Sequence, residues 1–320
     1  MLEKMIDAHV HVASTRFIPM AFIEASLDNM LAALRANGAA VTRERLLAMG
    51  LPRFQDHRAD KFAEDMDRAG VSQAVLLLPD FTVTPGKSPL TIEEMMREHH
   101  EILKHHPGKF IFFAGVDPRR GKEGVDLLQK AVQEYQCRGF KIYPPCGYSP
   151  SDPMLYPFYE VCEAYGLPVM THTGPTSPCL SFNEAHPSLI DKAAMDFPRV
   201  NFILAHGGVV QTEAAINMAA YRPNVYIDIS AYPGLLHPKG IREHLEDVFA
   251  LGINHKIIFG TDTPVFNLRA PYEELLAYVA GPDGAAEELS DAEQELLFFK
   301  NIERLLPPER ATAPADTGEK

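Results

Sequence analysis

Residues 4–12 read KMIDAHVHV, an apolar stretch interrupted by one carboxylic acid and two histidines. In a β-strand, residues two positions apart face the same way. The stretch therefore predicts a strand with Asp7, His9 and His11 on one side and the intervening apolar residues on the other. Two imidazoles at this spacing can bind one metal ion. The pair alone is weak evidence, because a buried histidine is commonly bonded to a carbonyl group.

Short apolar runs alternate with helical patterns along the rest of the chain. This alternation is typical of repeated βα units around a parallel sheet. Eight such units favour an α/β fold of the (β/α)8 TIM-barrel type over an open sheet. No glycine-rich phosphate-binding loop opens any predicted helix, which weakens the open-sheet nucleotide-binding alternative. The predicted strands span 4–12, 72–79, 110–117, 139–144, 168–173, 201–206, 224–230 and 256–262. The predicted helices span 91–106, 122–136, 157–165, 187–196, 212–221, 240–251, 271–280 and 290–306.

A single barrel domain, residues 1–306, accounts for this pattern. Residues 13–57 are too long for a plain βα loop, whose usual length is about 2–6 residues. They predict a helical insertion after strand 1, with helices at 19–36 and 42–49. Because βα loops lie on the catalytic face of a barrel, we expect the insertion to act as a lid or a substrate-binding element. The tail, residues 307–320, is rich in proline, alanine and charge and is expected to be disordered.

The composition limits the classes of partner that the protein is expected to bind. Thirty Lys and Arg against 43 Asp and Glu give a formal net charge of −13, which disfavours nucleic acid and anionic membranes. No segment approaches the roughly 18 apolar residues of a membrane span, and the start of the chain lacks a signal-peptide pattern. The four cysteines form no CxxC pair, which favours reduced thiols. We therefore expect a cytoplasmic protein that acts on a small molecule.

Three further polar residues change the weight of the HxH pair. His172, His206 and Asp262 each end an apolar predicted strand and are followed within three residues by Gly or Pro. In a barrel, the carboxyl ends of all strands converge on one mouth. Independent buried polar residues would have to occur by chance at this one level of each strand. The pattern therefore favours a metal site.

With these residues in place, the chain resembles the amidohydrolase superfamily, within the branch that includes aminocarboxymuconate-semialdehyde decarboxylase. The resemblance covers essentially the whole barrel. It is specific for the superfamily and poorly specific for the reaction. Its motifs are DAHVH at 7–11, GFKIYPP at 139–145, THTG at 171–174, AHGG at 205–208, GTDTP at 260–264 and KNIERLL at 300–306.

The resemblance implies that one divalent metal ion is held by His9, His11, His172 and Asp262, with His206 just outside the ligand set. Zn²⁺ is the preferred ion for such nitrogen and oxygen ligands, and Mn²⁺, Fe²⁺ and Co²⁺ are alternatives. Asp7 is expected to be a hydrogen-bond acceptor beside the site rather than a ligand. A homodimer is compatible with the resemblance.

Two interpretations are open for Lys141. In dinuclear relatives a lysine on strand 4 is carboxylated and bridges two metals, but in the branch that this chain resembles it is not normally a bridge. We therefore expect a mononuclear site with Lys141 and Tyr143 as substrate contacts. Arg53 can clamp a substrate carboxylate or be a solvated surface charge. Four other polar residues at strand ends are expected to cap helices or bind loop amides: Asp80, Asp117, Asp228 and Ser230.

The function expected is metal-dependent hydrolysis of an amide, ester or lactone bond in a small carboxylate-bearing substrate, by metal-activated water. His206 would polarise the scissile carbonyl, and Asp262 would transfer the proton to the leaving group. The same residues suit an alternative, metal-dependent non-oxidative decarboxylation by a carboxy-lyase. A non-catalytic barrel is disfavoured, because all five presumed chemical residues are present.

Overall fold

The computed structural model describes residues 4–231, 238–267 and 270–308. Its eight strands lie in sequence order, and every neighbouring pair is parallel. A parallel bridge between Val10 and Thr263, with a backbone hydrogen bond from the Ala8 N–H to the Phe259 carbonyl, joins the first strand to the last. The predicted (β/α)8 barrel is confirmed. The strands are β1 Ile6–Val10, β2 Gln73–Leu78, β3 Phe110–Gly115, β4 Cys137–Ile142, β5 Val169–His172, β6 Phe202–Ala205, β7 Val225–Asp228 and β8 Ile257–Ile258.

The predicted helices around the barrel lie close to their predicted positions, whereas the helix Asp60–Ala69 was not predicted. The final predicted helix, 290–306, is divided by a π-helical turn at Leu296–Lys300. Among the described residues, no helix has the length and apolar content needed to cross a lipid bilayer. The four cysteines are unpaired. The helices are α1 Met20–Ala36, α2 Arg43–Gly50, α3 Asp60–Ala69, α4 Ile92–His105, α5 Gly121–Glu134, α6 Tyr156–Tyr165, α7 Asp191–Asp196, α8 Thr212–Tyr221, α9 Pro238–Phe249, α10 Tyr272–Ala280, α11 Asp291–Glu295 and α12 Asn301–Glu303.

Two helices, α1 and α2, lie in the segment between β1 and α3. They pack on a small apolar cluster of their own, separate from the barrel core. One contact ties α1 to the loop after β5, where the Ser177 hydroxyl donates to the Phe22 carbonyl at 2.9 Å. The segment therefore contacts a loop at the carboxyl end of a barrel strand. Of the predicted disordered tail, residues 309–320 lie outside the described residues.

The core consists of two main layers. One cluster fills the barrel interior with alternate residues of seven strands, and Ile302 and Leu305 of the C-terminal region join it. A larger cluster lies between the strands and the helices. The interior positions of β4 are taken by Gly139 and Lys141, since Phe140 and Ile142 belong to the outer cluster. A lysine thus occupies a position where the other strands present apolar side chains.

The first strand departs from the predicted strict alternation. Its pairing with β2 shifts register between Asp7 and Val10. Ala8 packs in the interior cluster, whereas Val10 packs in the outer one. The prediction that the intervening apolar residues share one face is therefore wrong, because a strand irregularity changes the side to which the following residues point.

Gly139 is required by close packing inside the barrel. It pairs with Phe113 of β3, and a Cβ on Gly139 would lie 2.5 Å from that ring. We expect Gly139→Ala to destabilise the protein by about 1–3 kcal/mol, the usual cost of overpacking a core. Urea unfolding measures the change. Gly240→Ala in α9 is the matched control, because no atom would lie within 4 Å of its Cβ, and it should be neutral or stabilising. Equal unfolding midpoints for the two variants would contradict the packing argument.

Candidate active site

The ends of β1 and β8 bring three of the predicted ligands together. Oδ1 of Asp262 lies 3.5 Å from Nε2 of His9 and 3.4 Å from Nε2 of His11. The backbone N–H of Asp262 also donates to the His9 carbonyl at 2.8 Å. His9 and Asp262 are buried, and His11 is partly buried. The contact follows from barrel closure, which places residues 9 and 262 side by side.

The hydrogen bonds of His9 and His11 decide which ring nitrogen carries the proton. Nδ1 of His9 lies 2.8 Å from Oδ2 of Asp228, and Nδ1 of His11 lies 2.9 Å from the Leu77 carbonyl oxygen. A carboxylate and a carbonyl accept hydrogen bonds, so both Nδ1 atoms carry hydrogen. Burial, reinforced by Lys141, lowers the pKa of His9 well below its usual value, so His9 is neutral. In the neutral form of each ring, Nε2 therefore presents a lone pair.

His206, predicted to lie just outside the ligand set, is close to both His9 and Asp262. Its ring centroid is 4.6 Å from that of His9. His9, His206 and Asp262 each offer a donor atom within 4.8 Å of the others. Both His206 and Asp262 have left-handed backbone, with φ of 63° and 62°. Such strain in non-glycine residues is typical of functional sites, where it aims a side chain.

His172 lies beside the cluster formed by His9, His11, His206 and Asp262. Its ring stacks on Tyr143, with centroids 4.2 Å apart, and lies edge-on to His206 at 4.9 Å. Nε2 of His172 lies 3.1 Å from the Pro175 carbonyl oxygen. Because that oxygen can only accept, the proton belongs on Nε2 and the lone pair on Nδ1. Burial lowers the pKa of His172 well below its usual value.

The donor atoms of the cluster fit a divalent metal ion. Nε2 of His9 is buried and has no hydrogen-bond partner among the described residues. It lies 3.5 Å from a carboxylate oxygen of Asp262. Burial raises the pKa of Asp262, and a nearby cation would oppose that shift. Imidazole nitrogens and a carboxylate are ligands that Zn²⁺ and Mn²⁺ accept.

Asp228 supports the cluster from β7. Its Oδ1 accepts the backbone N–H groups of His206 and Ser230, at 2.8 and 3.0 Å. Its Oδ2 accepts the Nδ1–H of His9. The sequence predicted the amide bonds but not the bond to a histidine. The sequence feature that could have indicated this bond is an acid and a serine two residues apart at the end of β7, at the same end of the barrel as the other site residues.

Two other predicted strand-end acids have the structural roles expected of them. Asp80 accepts the backbone N–H of Thr82 and pairs with Arg120 at 2.8 Å. Asp117 accepts the backbone N–H of Arg119 and caps the short helix that follows.

Asp7 is buried beside the cluster and turns away from it. Its carboxylate accepts hydrogen bonds from Thr261, from Tyr272 of α10 and from the backbone of His9. Burial raises the pKa of Asp7 to about 7, although these hydrogen bonds oppose the shift. The structure thus places Asp7 as an acceptor that joins β1 to the β8 loop.

Lys141 carries a buried ammonium group inside the barrel. The residue is 1% exposed, and its Nζ has no hydrogen-bond partner among the described residues. Burial lowers its pKa to about 8, while Asp228 and Asp262 act in the opposite direction. Buried charges are normally paired. An anion bound at the cluster would supply the missing partner.

The other predicted substrate contacts lie at different depths. Tyr143 is buried, and its hydroxyl lies 2.8 Å from that of Thr176. Its ring continues a row of aromatic contacts to Phe81, at 4.9 Å, and from there to Phe22 of α1, at 5.1 Å. Arg53 is exposed, and its guanidinium donates to the Asn267 carbonyl. The structure links Arg53 to the β8 loop and shows no contact with the histidine cluster.

Known proteins share this architecture. A solved uncharacterised TIM-barrel protein from Bordetella bronchiseptica is 21% identical, with a TM-score of 0.67 over 94% of this chain and 98% of that chain. A 5-carboxyvanillate decarboxylase from Sphingomonas paucimobilis is 15% identical, with a TM-score of 0.62 over 94% and 98%. A 4-oxalomesaconate hydratase from Rhodopseudomonas palustris is 16% identical, with a TM-score of 0.59 over 95% of each chain. No curated protein matches the sequence.

The family model described as Amidohydrolase matches residues 6–307, which include β1 to β8 and every residue of the cluster. The match spans nearly the whole chain and agrees with the resemblance found in the motifs. The chain therefore belongs to the amidohydrolase family.

Proposed function

We propose that the protein is a metal-dependent hydrolase of an amide, ester or lactone bond in a small carboxylate-bearing substrate. One observation carries the proposal. Nε2 of His9 and Nε2 of His11 lie 3.5 and 3.4 Å from the carboxylate of Asp262, while Nδ1 of each ring is held by a hydrogen-bond acceptor. Such a group of donor atoms is stable in a buried site when a cation lies between them.

The residues proposed to hold the ion are His9, His11, His172 and Asp262. A divalent ion bound there supplies Lewis acidity and brings the pKa of water towards about 7. Two groups of the cluster can take the proton that an attacking water loses, namely the Asp262 carboxylate and a neutral His206. Burial lowers the pKa of His206 well below its usual value, so His206 is neutral before the reaction.

We propose that Lys141 anchors the substrate carboxylate. Its unpaired ammonium lies in the interior below the cluster, where a bound carboxylate would offset the cost of its burial. Tyr143 and the rings that follow it would pack against the apolar part of the substrate. Arg53, at the junction of the insertion and the β8 loop, is proposed as a contact at the rim.

We expect Lys141→Met to raise KM for carboxylate substrates roughly 10- to 100-fold, the equivalent of one hydrogen bond to a charged group. Thermal stability should be unchanged or higher, because an unpaired buried charge is removed. Lys256→Met is the matched control: its buried ammonium donates to the carbonyls of Arg222, Pro223 and Val225, so this variant should lose stability. Steady-state kinetics and thermal unfolding test the pair. An unchanged KM would refute the anchor, and two metals per chain would point to a carboxylated Lys141.

Non-oxidative decarboxylation is the second candidate. Structures similar to this chain include the 5-carboxyvanillate decarboxylase and a 2,6-dihydroxybenzoate decarboxylase that is 17% identical. A further 5-carboxyvanillate decarboxylase, from Novosphingobium aromaticivorans, has bound manganese. The buried Lys141 beside the row of aromatic rings suits an aromatic carboxylate as well as an ester or lactone.

A substrate panel on the purified protein separates the two reactions. The metal content is measured first, and the protein is then tested with Zn²⁺ or Mn²⁺ present. Hydrolysis releases acid from carboxylate-bearing esters, lactones or amides, whereas decarboxylation releases CO2 from aromatic or enoic carboxylates. Acid release that disappears in the Asp262→Asn variant would support the proposal. Release of CO2 without acid would replace it with the lyase.

A further inference from the structure

One hydroxyl group, that of Ser230, connects two histidines of the cluster with the aspartate behind it. Oγ of Ser230 lies 2.7 Å from Nδ1 of His206 and 3.1 Å from Nδ1 of His9, and it also contacts Oδ1 of Asp228. Ser230 itself is fully buried. No water competes for these bonds, so the hydroxyl hydrogen must go to one of these groups.

The hydrogen of Ser230 belongs to Asp228. Oδ1 of Asp228 already accepts two backbone N–H groups, which can only donate, so this oxygen acts as an acceptor. A carboxylate is a stronger acceptor than a neutral imidazole nitrogen, because the hydrogen bond is charge-assisted. With its hydrogen directed to Asp228, Ser230 can only accept from His206. Nδ1 of His206 therefore carries the proton.

We infer that Ser230 holds His206 in the tautomer with hydrogen on Nδ1, so that His206 takes part in the reaction as an acceptor through Nε2. This inference rests on the proposed hydrolysis for its chemical consequence. Nε2 takes a proton from the attacking water, His206 becomes an imidazolium, and the same proton passes to the leaving group. A neutral His206 of this tautomer has no hydrogen on Nε2 to donate to the carbonyl oxygen. Ser230 is thus a positioning residue that decides the role of His206.

The test reads the tautomer directly. The Zn²⁺-loaded protein is labelled with ¹⁵N in its histidines, and the His206 signals are assigned by their loss in His206→Asn. We expect the wild-type protein to show a protonated Nδ1 and a bare Nε2 at His206. Ser230→Ala should raise the population with hydrogen on Nε2 and lower kcat by about 10- to 100-fold, the usual effect of removing a partner behind an active-site histidine.

Ser177→Ala is the control, because Ser177 is also buried but donates to a backbone carbonyl of α1. It should leave the His206 signals unchanged. A wild-type His206 protonated on Nε2 would overturn the inference without any variant. So would an unchanged tautomer in a folded Ser230→Ala protein. Because the spectrum needs no substrate, an absence of hydrolysis would refute the proposed function and leave the tautomer result standing.

Discussion

Replacing His9 and His11 together with alanine is expected to abolish metal retention. Nδ1 of each ring is held by an acceptor, Asp228 for His9 and the Leu77 carbonyl for His11. This leaves the two Nε2 atoms 3.5 and 3.4 Å from Oδ1 of Asp262. Without the two imidazoles, Asp262 and His172 are the remaining proposed ligands, which is too few for a four-coordinate site. Metal analysis after gel filtration should fall from near one ion per chain to near zero.

The matched control is the double variant His105→Ala with His106→Ala. These neighbouring histidines also converge on a carboxylate, with Nε2 atoms 2.8 and 3.2 Å from Oδ1 of Asp60, but they lie at the end of α4. The control should keep its metal. Stoichiometric metal in a folded His9 and His11 double variant would refute their assignment, and loss in the control would move the site to α4.

Removing the His206 imidazole is expected to lower kcat by about 10²- to 10⁴-fold, the usual contribution of a general acid or base. The metal should remain. His206→Asn is the better variant, because asparagine tolerates the left-handed backbone at this position more readily than alanine. Steady-state kinetics and metal analysis on the same preparation give both readings.

Unchanged turnover in His206→Asn would remove His206 from the chemistry. Loss of the metal would instead show that His206 is a ligand. The position of its donor atom, within 4.8 Å of those of His9 and Asp262, allows that outcome. His186→Asn serves as the control, since His186 is exposed and its ring bonds to the neighbouring Ser188. It should change neither reading.

The sequence predicted the site residues best where the parallel arrangement of the barrel strands decides their position. His172, His206 and Asp262 follow apolar strands, and the parallel arrangement brings all such strand ends to the same mouth. Their assembly with His9 and His11 could therefore be inferred without any tertiary contact. The roles of the individual residues in metal binding and catalysis remain predictions.

The contacts behind the cluster were not predictable in this way. Asp228 and Ser230 have the same local pattern as Asp117, a polar residue following an apolar strand. Only the structure distinguishes their roles. Asp228 bonds to His9, 219 positions away in sequence, whereas Asp117 bonds to Arg119 two positions away. Arg53 similarly donates a hydrogen bond to the carbonyl of Asn267, which lies 214 positions away in sequence.

The sequence by itself determined the eight strands, the helices between them except α3, and the family, because strand and helix periodicity and the order of motifs are local properties of the chain. Only the tertiary structure decided the break of alternation after Asp7, the isolation of Lys141 inside the barrel and the ring nitrogens that carry hydrogen on His9 and His11. Each of these depends on which hydrogen-bond donors and acceptors from distant segments meet in a buried space where water cannot replace them.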